Sequence, residues 1–421
     1  MTKILVAGGG VAGVAAAIAA SRMGAAVTLA EGSHQLARNK SLLPRLFSVG
    51  FSKEELSVAD PDDLKGRFGI ELRLDEQVIS VDCAARTART GSGRLEFDAL
   101  VLATGSFPVL GDLRGASKLG VYTLYSADDY IALARAGGGL TKLALTGPLS
   151  VSLIVAQALS RHSRVSVFLG GGALPRFERR VLGMISEAAS SRGVSLLYGS
   201  IDAIVGVKRA EAVISAGVVH PCGGVVILPR SSPRLPEIGC MRGDHGGVVV
   251  DESMRTSHKD VYAAGDCAEL RCGSGSLPSR LHSSSLAMGE AAGTNAAGGT
   301  AIASLSRCIA LDLFGVELCV AGIDADGARR LGQDVVEFES EGEKEDLTIS
   351  LAYDRVTHRL FGVQMVGRGA LLLSDYVSFA VSSRARLDDL AYHECPYVPH
   401  LNRDRSPISL TAGRALARAR G

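Results

Sequence analysis

The tightest constraint on this chain is a glycine spacing near its start. Gly8-x-Gly10-x-x-Gly13 lies between the apolar run Lys3-Ile-Leu-Val-Ala7 and an alanine-rich stretch that ends near Met23. The run suits a strand buried on both faces, and the stretch suits a helix. A second strand is predicted over Ala26-Val-Thr-Leu-Ala30. In such a strand–turn–helix the first glycine makes the tight turn and the second lets a pyrophosphate approach the backbone. The third lets helix and strand pack closely. Val11 and Ala12 open the helix, whose free N–H groups and positive dipole end favour phosphate. Glu31 closes the second strand, where a carboxylate can accept both ribose hydroxyls. Strand, turn, helix and acid together predict a dinucleotide site in a parallel α/β domain.

At 421 residues the chain has room for about three domains. Its 47% hydrophobic content supplies several cores, which excludes a disordered or fibrous protein. Lys+Arg 45 and Asp+Glu 44 nearly cancel, so no basic field exists to hold nucleic acid. Only residues 414–420 are locally basic, and they read as a solvated terminus. No apolar run of about eighteen residues predicts a membrane span. Residues 1–20 resemble a signal peptide, yet glycines interrupt them at motif spacing and no polar cleavage region follows. A folded cytoplasmic protein is expected. The eight cysteines (83, 222, 240, 267, 272, 308, 319 and 395) are scattered, with neither a disulfide framework nor a paired zinc-type spacing. No metal is expected.

Further along, residues 34–45 read as a basic, polar loop, and a helix is predicted from near Ser52, whose hydroxyl would cap it. Residues 71–104 alternate, with Gly91-Ser-Gly93 turning between two strands, and end in the buried strand Ala99-Leu-Val-Leu-Ala103. After residue 113 the pattern begins again. It runs strand Leu143-Ala-Leu-Thr146, helix 151–162, strand Val165-Ser-Val-Phe-Leu169, helix 177–192 and strand Val194-Ser-Leu-Leu197. This predicts an internal repeat of one nucleotide-binding topology. Residues 248–266 return to strand character, and a Gly/Ser-rich loop at 272–276 leads into a helix through Asn295. Past Gly298-Gly299, strands at 347–353 and 360–366 and a helix over 370–383 give an α+β unit with no nucleotide motif.

Two segments carry a family resemblance. Ala99-Leu-Val-Leu-Ala103-Thr104-Gly105 and Thr256-Ser-His-Lys-Asp260-Val-Tyr-Ala-Ala264-Gly265-Asp266 are similar to FAD-domain fingerprints of the pyridine nucleotide–disulfide oxidoreductase family. The resemblance covers nearly the whole chain and is nearest to the NADH oxidase and coenzyme A disulfide reductase branch. Ser41-Leu-Leu-Pro44 aligns with that branch's Cys-x-x-Pro, and Leu360-Phe-Gly-Val-Gln-Met-Val-Gly367 matches its dimerisation domain. Pro396-Tyr397 resembles a loop that reaches the partner's flavin.

The resemblance implies an α/β fold of two nested Rossmann-like domains plus a C-terminal α+β dimerisation domain. Residues 1–112 and 243–302 would bind FAD, 113–242 would be the NAD(P)-binding-like domain, and 303–421 would form a homodimer. FAD would be held by Gly8, Gly10, Val11, Ala12, Gly13, Glu31, Ala103, Thr104, Gly105, Gly265 and Asp266, with Asp266 on the ribityl chain. The helix matching 283–295 would aim its N-terminus at the flavin pyrimidine, which favours the anionic reduced form. The implied activity is an FAD-dependent oxidoreductase, electrons passing through flavin N5 between small-molecule or protein donors and acceptors.

Three departures qualify that activity. Ser41 stands at the redox cysteine and cannot form a sulfenate, mixed disulfide or charge-transfer thiolate. The second turn reads Gly147-Pro-Leu149-Ser-Val-Ser152, and the strand after it ends in Leu169 rather than an acid. Leu228-Pro-Arg-Ser-Ser232 replaces the usual alanine–glycine stretch. An altered or lost NAD(P)H site is therefore expected. Two alternatives stay open: a flavoprotein fed by a protein partner, a quinone or a small organic donor, or a non-catalytic FAD-binding subunit. Cys267 and Cys272 have the gap of a redox pair, against a purely structural reading. Near the end, His393, Cys395, Tyr397 and His400 could supply acid–base or thiol groups across a dimer, or serve only as interface residues.

Overall fold

The computed structural model describes every residue except 37–38, 48–50, 58, 137–139, 171–175, 273–274, 342–346, 397–404 and 421. It divides into two units, one of residues 1–171 and 192–303, the other of residues 172–191 and 304–421.

The first unit holds two parallel sheets of the same plan. One runs Val261–Ala263, Ala99–Leu102, Lys3–Ala7, Ala26–Ala30, Glu71–Arg73, with every neighbour parallel. The other runs Val194–Leu197, Arg164–Phe168, Lys142–Thr146, Gly224–Ile227, Val121–Thr123, again all parallel. In each, a central strand is followed by a helix (Val11–Arg22 or Leu149–Leu159) and by its neighbour in the sheet. In each, a three-stranded antiparallel meander precedes the strand on the other side of the centre. The meanders are Val78–Asp82, Thr87–Thr90, Arg94–Glu96 and Ala203–Val205, Ala212–Ser215, Val218–Pro221. The internal repeat read from the sequence is thus present down to its meander. An antiparallel pair, Ser106–Val109 with Arg230–Pro233, joins the two lobes.

Helix His282–Ala296 lies against helix Val11–Arg22 unusually closely. A methyl group on Gly289 would collide with the backbone of Ala12, and one on Gly293 with that of Ala16. Neither collision can be relieved by a rotamer change, because the opposing atoms are main chain. Gly289→Ala is expected to lower stability by about 1–3 kcal/mol, read by urea unfolding. Gly413→Ala, inside helix Pro407–Arg420 and meeting nothing within 4 Å, serves as the control that loses no stability.

The second unit is a five-stranded antiparallel sheet, Ile309–Leu313, Val316–Gly322, Leu360–Gly367, Leu347–Asp354, Val335–Glu341. Its core gathers Leu351, Tyr353, Val363 and Met365 from the sheet with Val377, Leu390, Ile408 and Ala412 from helices Ser374–Ser382, Leu387–Ala391 and Pro407–Arg420. Helix Arg176–Ser190 also belongs to this unit, packed on Val316–Gly322 and held by a 2.8 Å ion pair from Arg180 to Glu339.

Several local expectations need correction. The helix expected from Ser52 is a single turn, Glu54–Leu56, followed by helix Pro61–Gly66. There Asp60 is the cap and Pro61 opens the helix, a stronger start than serine followed by lysine. The polar loop over 34–45 gives way at Lys40–Phe47 to a 3₁₀ helix containing Pro44. The Gly/Ser-rich segment after Cys272 includes a strand, Gly275–Pro278, that folds back on Ala268–Cys272. The helix over 370–383 begins at Ser374. Among the described residues no helix is long and apolar enough to cross a membrane, and no cluster could hold a metal ion.

Candidate cofactor site

The residues singled out in the first lobe meet at the carboxyl edge of its sheet, where open α/β sheets bind ligands. Strand Lys3–Ala7 delivers Gly8 at φ 108°, a conformation open to glycine, and the Gly8 amide donates to the Ala30 carbonyl at 2.7 Å. A side chain on Gly13 would collide with the Gly8 carbonyl. Gly10 is the opposite case. It is exposed, extended (φ −71°, ψ −175°), and its missing Cβ would meet nothing within 4 Å. It caps helix Val11–Arg22 with no side-chain hydrogen bond and no acid in the first turn. The helix therefore presents free amide donors and a positive dipole end beside a bare backbone.

Glu31 lies beside that opening. Its carboxylate accepts from the Gly9 amide at 2.6 Å and the Ser33 amide at 2.9 Å, leaving lone pairs for further donors. Ala103 donates its amide to Ala7, and Ala264 donates its own to Leu102, so the other two fingerprints reach the same edge. The missing Cβ of Gly265 faces Ala12 at 2.9 Å. Thr104 donates its hydroxyl to the Arg234 carbonyl, and the Arg234 amide donates to Gly105 at 2.9 Å, which fixes that turn.

Asp266 is oriented by a residue the sequence reading missed. Ser106 Oγ donates to Asp266 Oδ2 at 2.8 Å. The Ser106 carbonyl accepts from Tyr125 at 2.7 Å, and Lys40 donates to the Tyr125 hydroxyl at 2.9 Å while lying 4.2 Å from its ring centre. Lys40 directly precedes Ser41, which is exposed and whose amide donates to Asn39 Oδ1 at 3.0 Å. Position 41 is thus tied to Asp266 through Lys40, Tyr125 and Ser106. No spacing pattern could have shown this, because the three residues come from separate segments.

The second lobe keeps one element of the turn and loses the rest. Gly147, at φ 154°, is pressed on Leu228 as Gly8 is pressed on Ala103. Leu149 occupies the place of Gly10 and is half-buried. Ser152 occupies the place of Gly13; it is 1% exposed, and its hydroxyl has no hydrogen-bond partner among the described residues. Leu169 stands where the first lobe has Glu31.

Cys267 and Cys272 do not form a pair. Strand Ala268–Cys272 separates them by roughly 15 Å of extended chain, far outside disulfide reach. Cys267 is fully buried, and burial pushes its thiol up. His393 and Cys395 belong to the second unit, where His393 stacks on Tyr376 at 5.3 Å and Cys395 lies 3.5 Å from Ser409 Oγ. Tyr397 and His400 lie outside the described residues.

The family model for pyridine nucleotide-disulphide oxidoreductases matches residues 2–291. The chain belongs to that family. Among its relatives, the "NAD(P)H sulfur oxidoreductase (CoA-dependent)" of Pyrococcus furiosus is 25% identical, covering 94% of this chain and 95% of the relative. The "NADH oxidase" of Streptococcus pyogenes is 22% identical over 85% of this chain and 86% of its own. A solved NAD-dependent persulfide reductase from A. fulgidus superposes with a TM-score of 0.88 at 24% identity. It covers 100% of this chain and 84% of that one.

Family membership makes the chain an FAD-dependent oxidoreductase, and the first lobe fits that cofactor. The unobstructed backbone at Gly10, the uncapped helix and the half-satisfied Glu31 carboxylate match a pyrophosphate and its ribose. Ser279 Oγ, buried and without a partner among the described residues, sits just before helix His282–Ala296, whose start also lacks a side-chain cap. Unspent donors at both places are what a large polar ligand would use.

Proposed function

We propose that this family member moves electrons between bound FAD and an acceptor with no cysteine relay. The reading is supported by Ser41, which aligns by resemblance with the relay cysteine, in a segment tied through Lys40, Tyr125 and Ser106 to Asp266. Bound FAD supplies two-electron acceptance and return. The Gly8–Gly13 turn and the helix start orient the pyrophosphate, Glu31 the ribose, and Asp266 the ribityl chain, held in place by Ser106. Lys40 sets a positive charge beside Ser41, which a serine hydroxyl cannot convert into a thiolate reaction.

Reoxidation of the chemically reduced protein tests this. Without oxygen, a small quinone is expected to reoxidise it equally well before and after alkylation of the protein's thiols. A small organic disulfide is expected to leave it reduced. Rapid reoxidation by the disulfide, lost on alkylation, would show a cysteine relay and overturn the reading. Ser41→Cys is expected to create an alkylation-sensitive disulfide reaction.

A second reading concerns the donor. Leu149 and Ser152 at the glycine positions of the second turn favour a donor that is not a nicotinamide: a protein partner, a quinone or a small organic molecule. The same features leave room for a non-catalytic FAD-binding subunit, which no donor or acceptor would turn over. We read the chain as an FAD domain of residues 1–112 and 243–302, an NAD(P)-like domain of 113–242 and a dimerisation domain of 303–421, working as a homodimer. Exposed Leu372, Phe379 and Tyr392 in the second unit support the dimer, and eight free thiols suit the cytoplasm.

A further inference from the structure

The second unit places two cysteines in contact. Cys308 Sγ and Cys319 Sγ are 3.6 Å apart. Cys319 lies in strand Val316–Gly322 opposite Ala310, whose methyl leaves room on that face of the sheet. Cys308 precedes strand Ile309–Leu313 and follows Arg307, which is left-handed at φ 51°. Because Arg307 breaks the regular ladder there, Cys308 is not held at the usual diagonal spacing of an antiparallel pair.

The two thiols differ in the way a working pair must. Cys319 is 0% exposed, whereas Cys308 is only half-buried. The hydrogen bond shared with Cys319 lowers the Cys308 thiol, aided by Ser378, against burial and Asp375. The same contact and burial push Cys319 up.

We propose that Cys308 and Cys319 are a reversible dithiol–disulfide couple within the second unit, closed by low-molecular-weight disulfides. In the first step the Cys308 thiolate attacks one sulfur of the small disulfide. That S–S bond breaks, a small thiolate leaves, and Cys308 carries a mixed disulfide. Cys319 then loses its proton and attacks the Cys308 sulfur, expelling the second small thiolate. The two cysteines are oxidised, one disulfide is reduced to two thiols, and the two cysteine protons end on the leaving thiolates. Closure needs the sulfurs to approach from 3.6 Å to about 2.05 Å, which side-chain rotation at Cys308 supplies.

Digestion makes the test direct. Trypsin cuts after Arg307 and after Arg329, with no lysine or arginine between, so one peptide, 308–329, carries both cysteines. The whole protein is treated with bis(2-hydroxyethyl) disulfide, unfolded, alkylated with iodoacetamide and digested. Peptide 308–329 is expected two hydrogens lighter than its reduced form, without alkyl groups, and to regain both alkylation sites after dithiothreitol. Cys319→Ser is expected to trap a hydroxyethyl adduct on Cys308. Cys308→Ser is expected to leave Cys319 unmodified until the chain is unfolded. Recovery of doubly alkylated 308–329 while other cysteines have reacted would overturn the proposal. So would the absence of an adduct in Cys319→Ser, provided its circular dichroism matches the parent. None of these readouts involves the flavin.

Discussion

Gly10→Val is expected to give a protein that folds normally and emerges without flavin. At its start the variant has every reason to be stable. The Gly10 backbone is extended, where a β-branched residue is at ease, and nothing lies within 4 Å of the added Cβ. Unfolding of the apo form should shift by only about 1 kcal/mol, the cost of exchanging the glycine cap of helix Val11–Arg22 for a poorer one. Yet that open position is where a pyrophosphate must come against bare backbone. An isopropyl group there denies the approach and shields the free amides of helix Val11–Arg22. FAD affinity should fall at least about 100-fold, equivalent to about 2.7 kcal/mol. Quenching of flavin fluorescence on adding FAD to apoprotein measures the affinity, and thermal circular dichroism measures the fold. Gly13→Val makes the contrast. Its side chain would collide with the Gly8 carbonyl, so fold and flavin should be lost together. Parental affinity in Gly10→Val would remove the cofactor from this turn.

What the sequence made legible follows from which interactions are local. Gly8, Gly10, Gly13 and Glu31 lie within one strand–helix–strand unit, so their spacing alone carries the geometry that the structure then displays. The repeat was legible for the same reason, as period-driven strands and helices recur in order. Tyr125 and Ser106 were not, because they meet Lys40 and Asp266 only after the two lobes fold around segment Lys40–Phe47. Helices Ala127–Ala136 and Leu149–Leu159 both pack on that segment, a contact with no sequence signature. The Cys267–Cys272 gap misled for the converse reason. A five-residue spacing brings two thiols together in a turn but drives them apart along strand Ala268–Cys272. Cys308 and Cys319 are separated in sequence by a hairpin, and only the register Ala310 to Cys319 reveals their contact.

Anaerobic titration with NADH, and separately with NADPH, is expected to leave the flavin oxidised, although dithionite bleaches it. The molecule carries two turns of the same plan, and they differ where a nucleotide would bind. In the first lobe Gly13 lets the helix close on the Gly8 carbonyl, Gly10 leaves the backbone bare, and Glu31 stands ready for a ribose. In the second, only Gly147 keeps its role, pressed on Leu228. Leu149 puts a branched apolar side chain where a pyrophosphate needs backbone, and Leu169 offers the ribose hydroxyls no acceptor. Ser152 puts a side chain where the first lobe has the bare Gly13. Each loss weakens binding, and together they remove the acid and the bare backbone. The relatives named for NAD(P)H set the opposing expectation, so the outcome is decisive. Bleaching at near-stoichiometric NADH would mean that the Gly147 turn accepts nicotinamide despite Leu149, and the protein would join the reductases its relatives are named for. A flavin that stays oxidised with both nucleotides makes the second lobe a retained scaffold, and the donor must then reach the flavin by another route.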